Sequence, residues 1–382
     1  MEQQVKKRSS AQSMAKALLI IGVCYFHAYF ISNPTGFLSF SPLVVFFPCL
    51  MGVFFFYAGY NYTQGKRTIK QNMLVKTKQL LIPLVVVAIG ATILSGGLQL
   101  IYGNATITSV LKGLQWLIVS EGGIELFHYN LAEACYDVVF AVGVLWFLYV
   151  LWICFMIFFL IVDWAIKKWY HLVPTLVVLI SMTILIGNIF GRKLLYNVQS
   201  YPLIIAILLM GAYFKKFHIL DRPLETKNQK MWTVILSVLA ELTIIGGGLF
   251  ANYVLHAPNV GALAGGYLNA YLLGYDAIPV FIFAVCGTYA LNNLMRLVSK
   301  IKPIEFCLTY MGDRSELLYL THGIYLYYIH TLFFQRDFSI VGKYVIPVYG
   351  TLTVIFFILT CLLIDWIKKL INKKKEAKEL NN

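Results

Sequence analysis

Apolar runs long enough to cross a bilayer follow one another along almost the entire chain, and no other feature limits its fold so strongly. A helix needs about 20 such residues to traverse the hydrocarbon core, where the backbone must satisfy its own hydrogen bonds. The sequence therefore predicts an all-α, polytopic transmembrane helical bundle of about ten spans. They fall roughly at 17–33, 42–62, 80–101, 138–162, 171–190, 199–214, 232–255, 268–292, 316–334 and 343–366. Charged residues make up 13% of the chain, about half the share in a soluble domain. The basic stretch Lys6, Lys7, Arg8 leads into an apolar segment that reads as a retained first span, with no cleavable signal peptide.

The formal net charge is +14, and its distribution orients the chain. With both termini cytoplasmic, most of the 31 Lys and Arg residues fall on the inner side, leaving Lys112, Arg192, Lys193, Arg336 and Lys343 outside. One missed span would invert part of this asymmetry, so the positive-inside rule supports an even count and a multi-pass protein of the cell (cytoplasmic) membrane. The same rule accounts for the net charge without nucleic acid, since no basic cluster is interleaved with a stacking platform. The 7 cysteines form no CxxC pair and read as small buried hydrophobes. Cys24, three residues before His27, is a weaker candidate thiol nucleophile. Residues 1–382 read as a single integral-membrane domain, with a charged cytoplasmic tail from about 368 set against anionic membrane lipids. The longest non-spanning stretch, 102–137, is external and acidic. Trp116, Leu117 and Ile118 suggest a short interfacial helix there, in a functional loop or re-entrant element.

Within this apolar chain the ionisable residues at span depth carry the functional information. Lys16 and His27 are eleven positions apart in the first span. On a helix that spacing returns to within about 20° of the start and rises roughly 16 Å, so both side chains share a face. A cation at the cytoplasmic rim then sits below an imidazole near mid-membrane. That cation suits the phosphates of coenzyme A, whose pantetheine arm would present an acyl carbonyl beside His27. A neutral imidazole takes a proton from a hydroxyl and returns it to a leaving thiolate. A second constellation is Ser315, Tyr319 and His322, at i, i+4 and i+7 on one helical stripe that must face protein or a cavity. Glu241, Asp276, Glu133 and Asp137 are candidate carboxylates to orient His27, and spacing does not choose among them. No phosphate-binding loop, zinc-protease or nucleophile-elbow signature is present, and no metal is expected.

Five motifs in order resemble the acyltransferase-3 family of integral-membrane acyltransferases. They are Lys16 with His27; the aromatic run Val53–Tyr60; the basic stretch Lys76, Lys78 closing on Leu80-Leu81-Ile82-Pro83; Leu145-Trp146-Phe147-Leu148; and Ser315…Tyr319…His322. The sugar O-acetylase-like branch is the nearest in pattern. Ala58 stands where that family usually has Ser, and Gln79 where a basic residue is common.

The resemblance implies an acyl-CoA-dependent O-acyltransferase. Acetyl-CoA is the expected donor, with succinyl as the alternative acyl group. The implied acceptor is a hydroxyl of a cell-surface glycan or its lipid-linked precursor. His27 is the expected general base. Lys16, Lys76 and Lys78 are assigned to the cofactor phosphates. Ser315, Tyr319 and His322 are assigned to the donor tunnel or the oxyanion, and Glu241, Asp276 and Trp146 take secondary roles. With no esterase-like domain after the last span, a one-domain transfer or a separate extracytoplasmic transferase is implied. Buried His, Glu and Asp also suit a proton-coupled transporter or flippase for a glycan or small polar solute. A scaffold for polysaccharide export is a third reading.

Overall fold

The computed structural model describes residues 10–32, 50–119, 130–143, 145–190, 195–221, 227–253, 277–334 and 345–379. Among them there are helices and no strands. We number the α-helices in chain order: α1 Ser10–Ser32, α2 Leu50–Tyr60, α3 Ile69–Lys76, α4 Ile82–Ile101, α5 Ile107–Val119, α6 Tyr136–Gly143 and α7 Trp146–Ala165. Then come α8 Trp169–Phe190, α9 Tyr201–Lys216, α10 Lys227–Tyr253, α11 Ala277–Val298, α12 Lys302–Asp313, α13 Ser315–Phe334 and α14 Val345–Glu379. A helix covers part or all of each predicted apolar run. By length and composition, 6 of the helical stretches can cross a membrane, among them Ile69–Ile101, Asp137–Ala165 and Trp169–Phe190.

The burial pattern is that of a bundle solvated by lipid. On α4 the outward residues Val85, Val86, Ile89 and Ile93 are apolar, while Ala88, Ala91, Thr92, Ser95 and Gln99 are buried. Small and polar side chains face the protein because lipid offers them no hydrogen bonds. Exposed Trp164, Trp169 and Tyr170 flank the turn carrying Lys167 and Lys168, the pattern of a membrane–water interface.

The centre is built by α2 and α9. Phe55, Phe56 and Tyr57 of α2 are fully buried, as are Ile204 and Ala206–Leu209 of α9. The two backbones touch: a Cβ on Gly59 would collide with the Leu208 carbonyl oxygen, and one on Gly211 with that of Phe56. Around this pair, α1 packs on α11, α12, α13 and α14, and α7 packs on α3 and α9.

One end of the bundle gathers the segments that the charge pattern assigns to the cytoplasm. Gln12 donates to Asn61 (3.1 Å), Ser13 to Asp313 (2.6 Å), Tyr60 to Asp221 (2.9 Å) and Tyr62 to Asp163 (2.8 Å). Lys216 donates to the carbonyls of Ile166 and Lys167, and Arg314 pairs with Asp365 at 2.8 Å.

Three helices lie in stretches read as connections or only in part as helix. The first, α3, is started by Thr68 and Gln71 in a reciprocal capping box. The outer segment forms α5, longer than the Trp116–Ile118 stretch, with Trp116 and Leu117 packed on the core. Lys112 pairs with Glu133 to pin this segment. The third, α12, begins with Pro303 in its first turn and lies along α1, where a Cβ on Gly312 would strike the Ser13 carbonyl oxygen. The predicted fourth span carries two described helices, α6 and α7.

Candidate active site

The first span is one unbroken helix, so the eleven-residue spacing does put Lys16 and His27 on one face. Lys16 is 9% exposed, its stem enclosed by the bundle, and His27 is partly exposed. Ser13, one turn before Lys16, holds α1 to the end of α12, and α13 begins two residues after Asp313.

His27 meets His322. Their ring centroids are 5.1 Å apart, with the planes tilted by 41°. His322 is fully buried, and its Nδ1 lies 2.6 Å from the Tyr319 carbonyl oxygen. The ring contacts then continue: His322 to Tyr319 at 5.3 Å, Tyr319 to Phe147 at 5.0 Å, Phe147 to Phe55 at 4.7 Å. One continuous run of rings thus joins α1, α13, α7 and α2. Trp146 sets its edge against Phe147 at 6.3 Å, placing it at the margin of this run. Four of the five sequence motifs therefore meet in one place.

The fifth motif reaches α7 nearer the charged end. The turn Thr77–Leu81 between α3 and α4 is π-helical. Pro83 explains it, because its ring clashes with the carbonyl four residues earlier and a wider turn relieves the clash. Thr77 Oγ1 donates to the Met73 carbonyl and accepts from Trp152 Nε1 at 3.0 Å. Lys76 lies over the Phe155 ring at 4.7 Å, and Lys78 is exposed. Sequence reasoning passed over Trp152, Phe155 and Thr77. Only the proline five residues after a basic stretch hinted at an irregular turn.

Ser315 opens α13 and is partly exposed, while Tyr319 and His322 are buried on the same stripe. Glu241 lies on α10 with its side chain outside the described residues, and Asp276 lies outside them altogether. Asp137 is buried near the start of α6. Cys24 is fully buried. Among the described residues no group of three His, Cys, Asp or Glu is placed to hold a metal ion.

A family model described as an acyltransferase domain matches residues 13–366, from the first turn of α1 well into α14. The chain belongs to the acyltransferase-3 family. It is a membrane acyltransferase, and the Lys16–His27, aromatic and Ser315–His322 motifs all fall inside the matched region. No curated protein and no solved structure matches it.

Proposed function

We propose that this acyltransferase moves an acyl group, acetyl in the first instance, from acyl-CoA to a hydroxyl of a cell-surface glycan or its lipid-linked precursor. It does so in the cytoplasmic membrane as a single domain of about ten spans, with both termini inside. The observation that carries the reading is the His27–His322 contact at the end of the same helix face that holds Lys16 near the charged end of the bundle.

His27 takes the proton of the acceptor hydroxyl as its oxygen bonds to the acyl carbon. The carbon–sulfur bond breaks, and His27 returns the proton to the departing sulfur, leaving an ester and a free thiol. Lys16, Lys76 and Lys78 hold the donor's phosphates at the cytoplasmic rim. Three cations spread over α1 and the α3–α4 turn suit a polyanion better than a single carboxylate. Tyr319 and Phe147 exclude water from the reacting carbonyl, and Ser315 lies toward the donor's entry. Membrane lipids are the solvent, and an extracytoplasmic transferase is a candidate partner for any onward transfer.

Purified protein incubated with labelled acetyl-CoA and total membrane glycolipid tests the reading. Wild type is expected to label glycan and release coenzyme A, while His27→Ala does neither yet stays monodisperse. A His27→Ala variant with wild-type transfer sinks the mechanism. Wild type that neither consumes acetyl-CoA nor is thermally stabilised by it returns the choice to a transporter.

A further inference from the structure

The His322 ring is committed at one nitrogen and open at the other. Nδ1 sits 2.6 Å from the Tyr319 carbonyl oxygen, which can only accept, so Nδ1 must carry a hydrogen and donate it. In the neutral ring Nε2 is then a bare lone pair. That Nε2 is fully buried and has no hydrogen-bond partner among the described residues. A buried acceptor left open is costly, and such exceptions call for an explanation. Three residues along the chain, Tyr319 supplies both the carbonyl that fixes the tautomer and the ring that packs on the imidazole at 5.3 Å.

The neighbouring polar ring is that of His27, with centroids 5.1 Å apart. At this separation, facing ring nitrogens come within hydrogen-bond reach, about 3 Å. The planes are tilted by 41°, so the two rings are not stacked face to face.

We propose that His322 is the positioning residue of His27, its bare Nε2 accepting the N–H of the neutral His27 ring and so leaving the other His27 nitrogen bare for the acceptor's proton. This rests on the reading of His27 as general base and deepens it. The place that a carboxylate fills in other base-orienting pairs is filled by a second imidazole. The tautomer also rules out a part for His322 Nε2 as an oxyanion donor, since it has no hydrogen to give. The proton itself stays on His27. It arrives from the hydroxyl at one ring nitrogen while the other nitrogen's hydrogen points at His322, and it leaves to the sulfur by the same nitrogen.

Two variants of the full-length protein separate this from a packing role. The Gln side chain of His322→Gln extends as far as Nε2 and can present its carbonyl oxygen there. In His322→Asn the side chain reaches only the Nδ1 position and keeps only the bond to the Tyr319 carbonyl. With labelled acetyl-CoA, kcat is expected to fall about a hundredfold in His322→Asn and tenfold or less in His322→Gln, with KM for the donor little changed. Asn performing as well as Gln, or a loss confined to KM, overturns the proposal. A measurement independent of turnover guards against variants that do not fold. In 15N-histidine-labelled wild type, the Nε2 signal of His322 is expected to be that of a nitrogen without hydrogen, and a protonated Nε2 overturns the proposal. Failure of wild type to use acetyl-CoA would instead strike the donor assignment, and the nitrogen spectrum would still judge His322.

Discussion

The Trp152 indole donates to the Thr77 hydroxyl at 3.0 Å, tying the middle of α7 to the widened turn that carries Lys76 and Lys78. Phe147, less than two turns earlier on α7, touches Tyr319, so the same helix contacts both the proposed phosphate site and the reacting centre.

Trp152→Phe keeps the ring and removes only the donor. The lost hydrogen bond is expected to cost about 1 kcal/mol. The melting temperature in detergent should drop by a few degrees, and KM for acetyl-CoA should rise while kcat holds. A change in kcat with KM intact would show that the turn does not serve the donor.

Lys16→Met preserves the apolar stem and deletes the charge. A hydrogen bond to a charged partner is worth about 1.5 kcal/mol or more, so donor KM is expected to rise roughly tenfold or more. Because this binding is the same in ground and transition states, kcat should change little. Equal KM values for variant and wild type would remove Lys16 from the donor site. Lys76→Met should act in the same direction and also forfeit the contact with Phe155, about 0.5–1 kcal/mol.

Gly59→Leu forces a side chain into the Leu208 backbone. Overpacking alone costs about 1–3 kcal/mol, and here neither backbone can yield without parting α2 from α9. Expression of folded protein should fall sharply, with Gly59→Ala less severe. A Gly59→Leu protein melting like wild type would mean that the two helices are not in backbone contact.

Asp221 gives a pH signature outside the membrane. Partial burial works against its ionisation, but hydrogen bonds from Tyr60 and His218 and the Lys215 ammonium outweigh it, so its carboxyl ionises below the usual range. A depressed folded pKa contributes stability that is complete above the unfolded value, about 3.9, and is lost as pH falls through the folded value. Asp221→Asn should therefore melt below wild type at neutral pH, with the gap closing as the pH drops below about 4. A gap independent of pH would assign the difference to packing.

Much of this architecture was legible because lipid reduces the problem to length and apolarity. Each predicted apolar run carries helix, and His27 and Lys16 share a face because α1 is unbroken. What the sequence hid was adjacency and irregularity. Spacing places His322 on a stripe with Tyr319 but says nothing of which helix faces it, so nothing in the sequence announces the imidazole that stands beside His27. Helix α3 is short and polar and α12 short and amphipathic, both without the long apolar window that betrays a span, and only a capping box and an early proline announce them.

The glycine seam between α2 and α9 decides where this molecule can breathe. With main chains in direct touch at Gly59 and Gly211, those two rods behave as a keel, too close-set for any wedge to enter between them. On the α1 side the contact is of another kind: Gly350 of α14 lies against the ring of Tyr25, so a side chain there can turn aside without two main chains having to part.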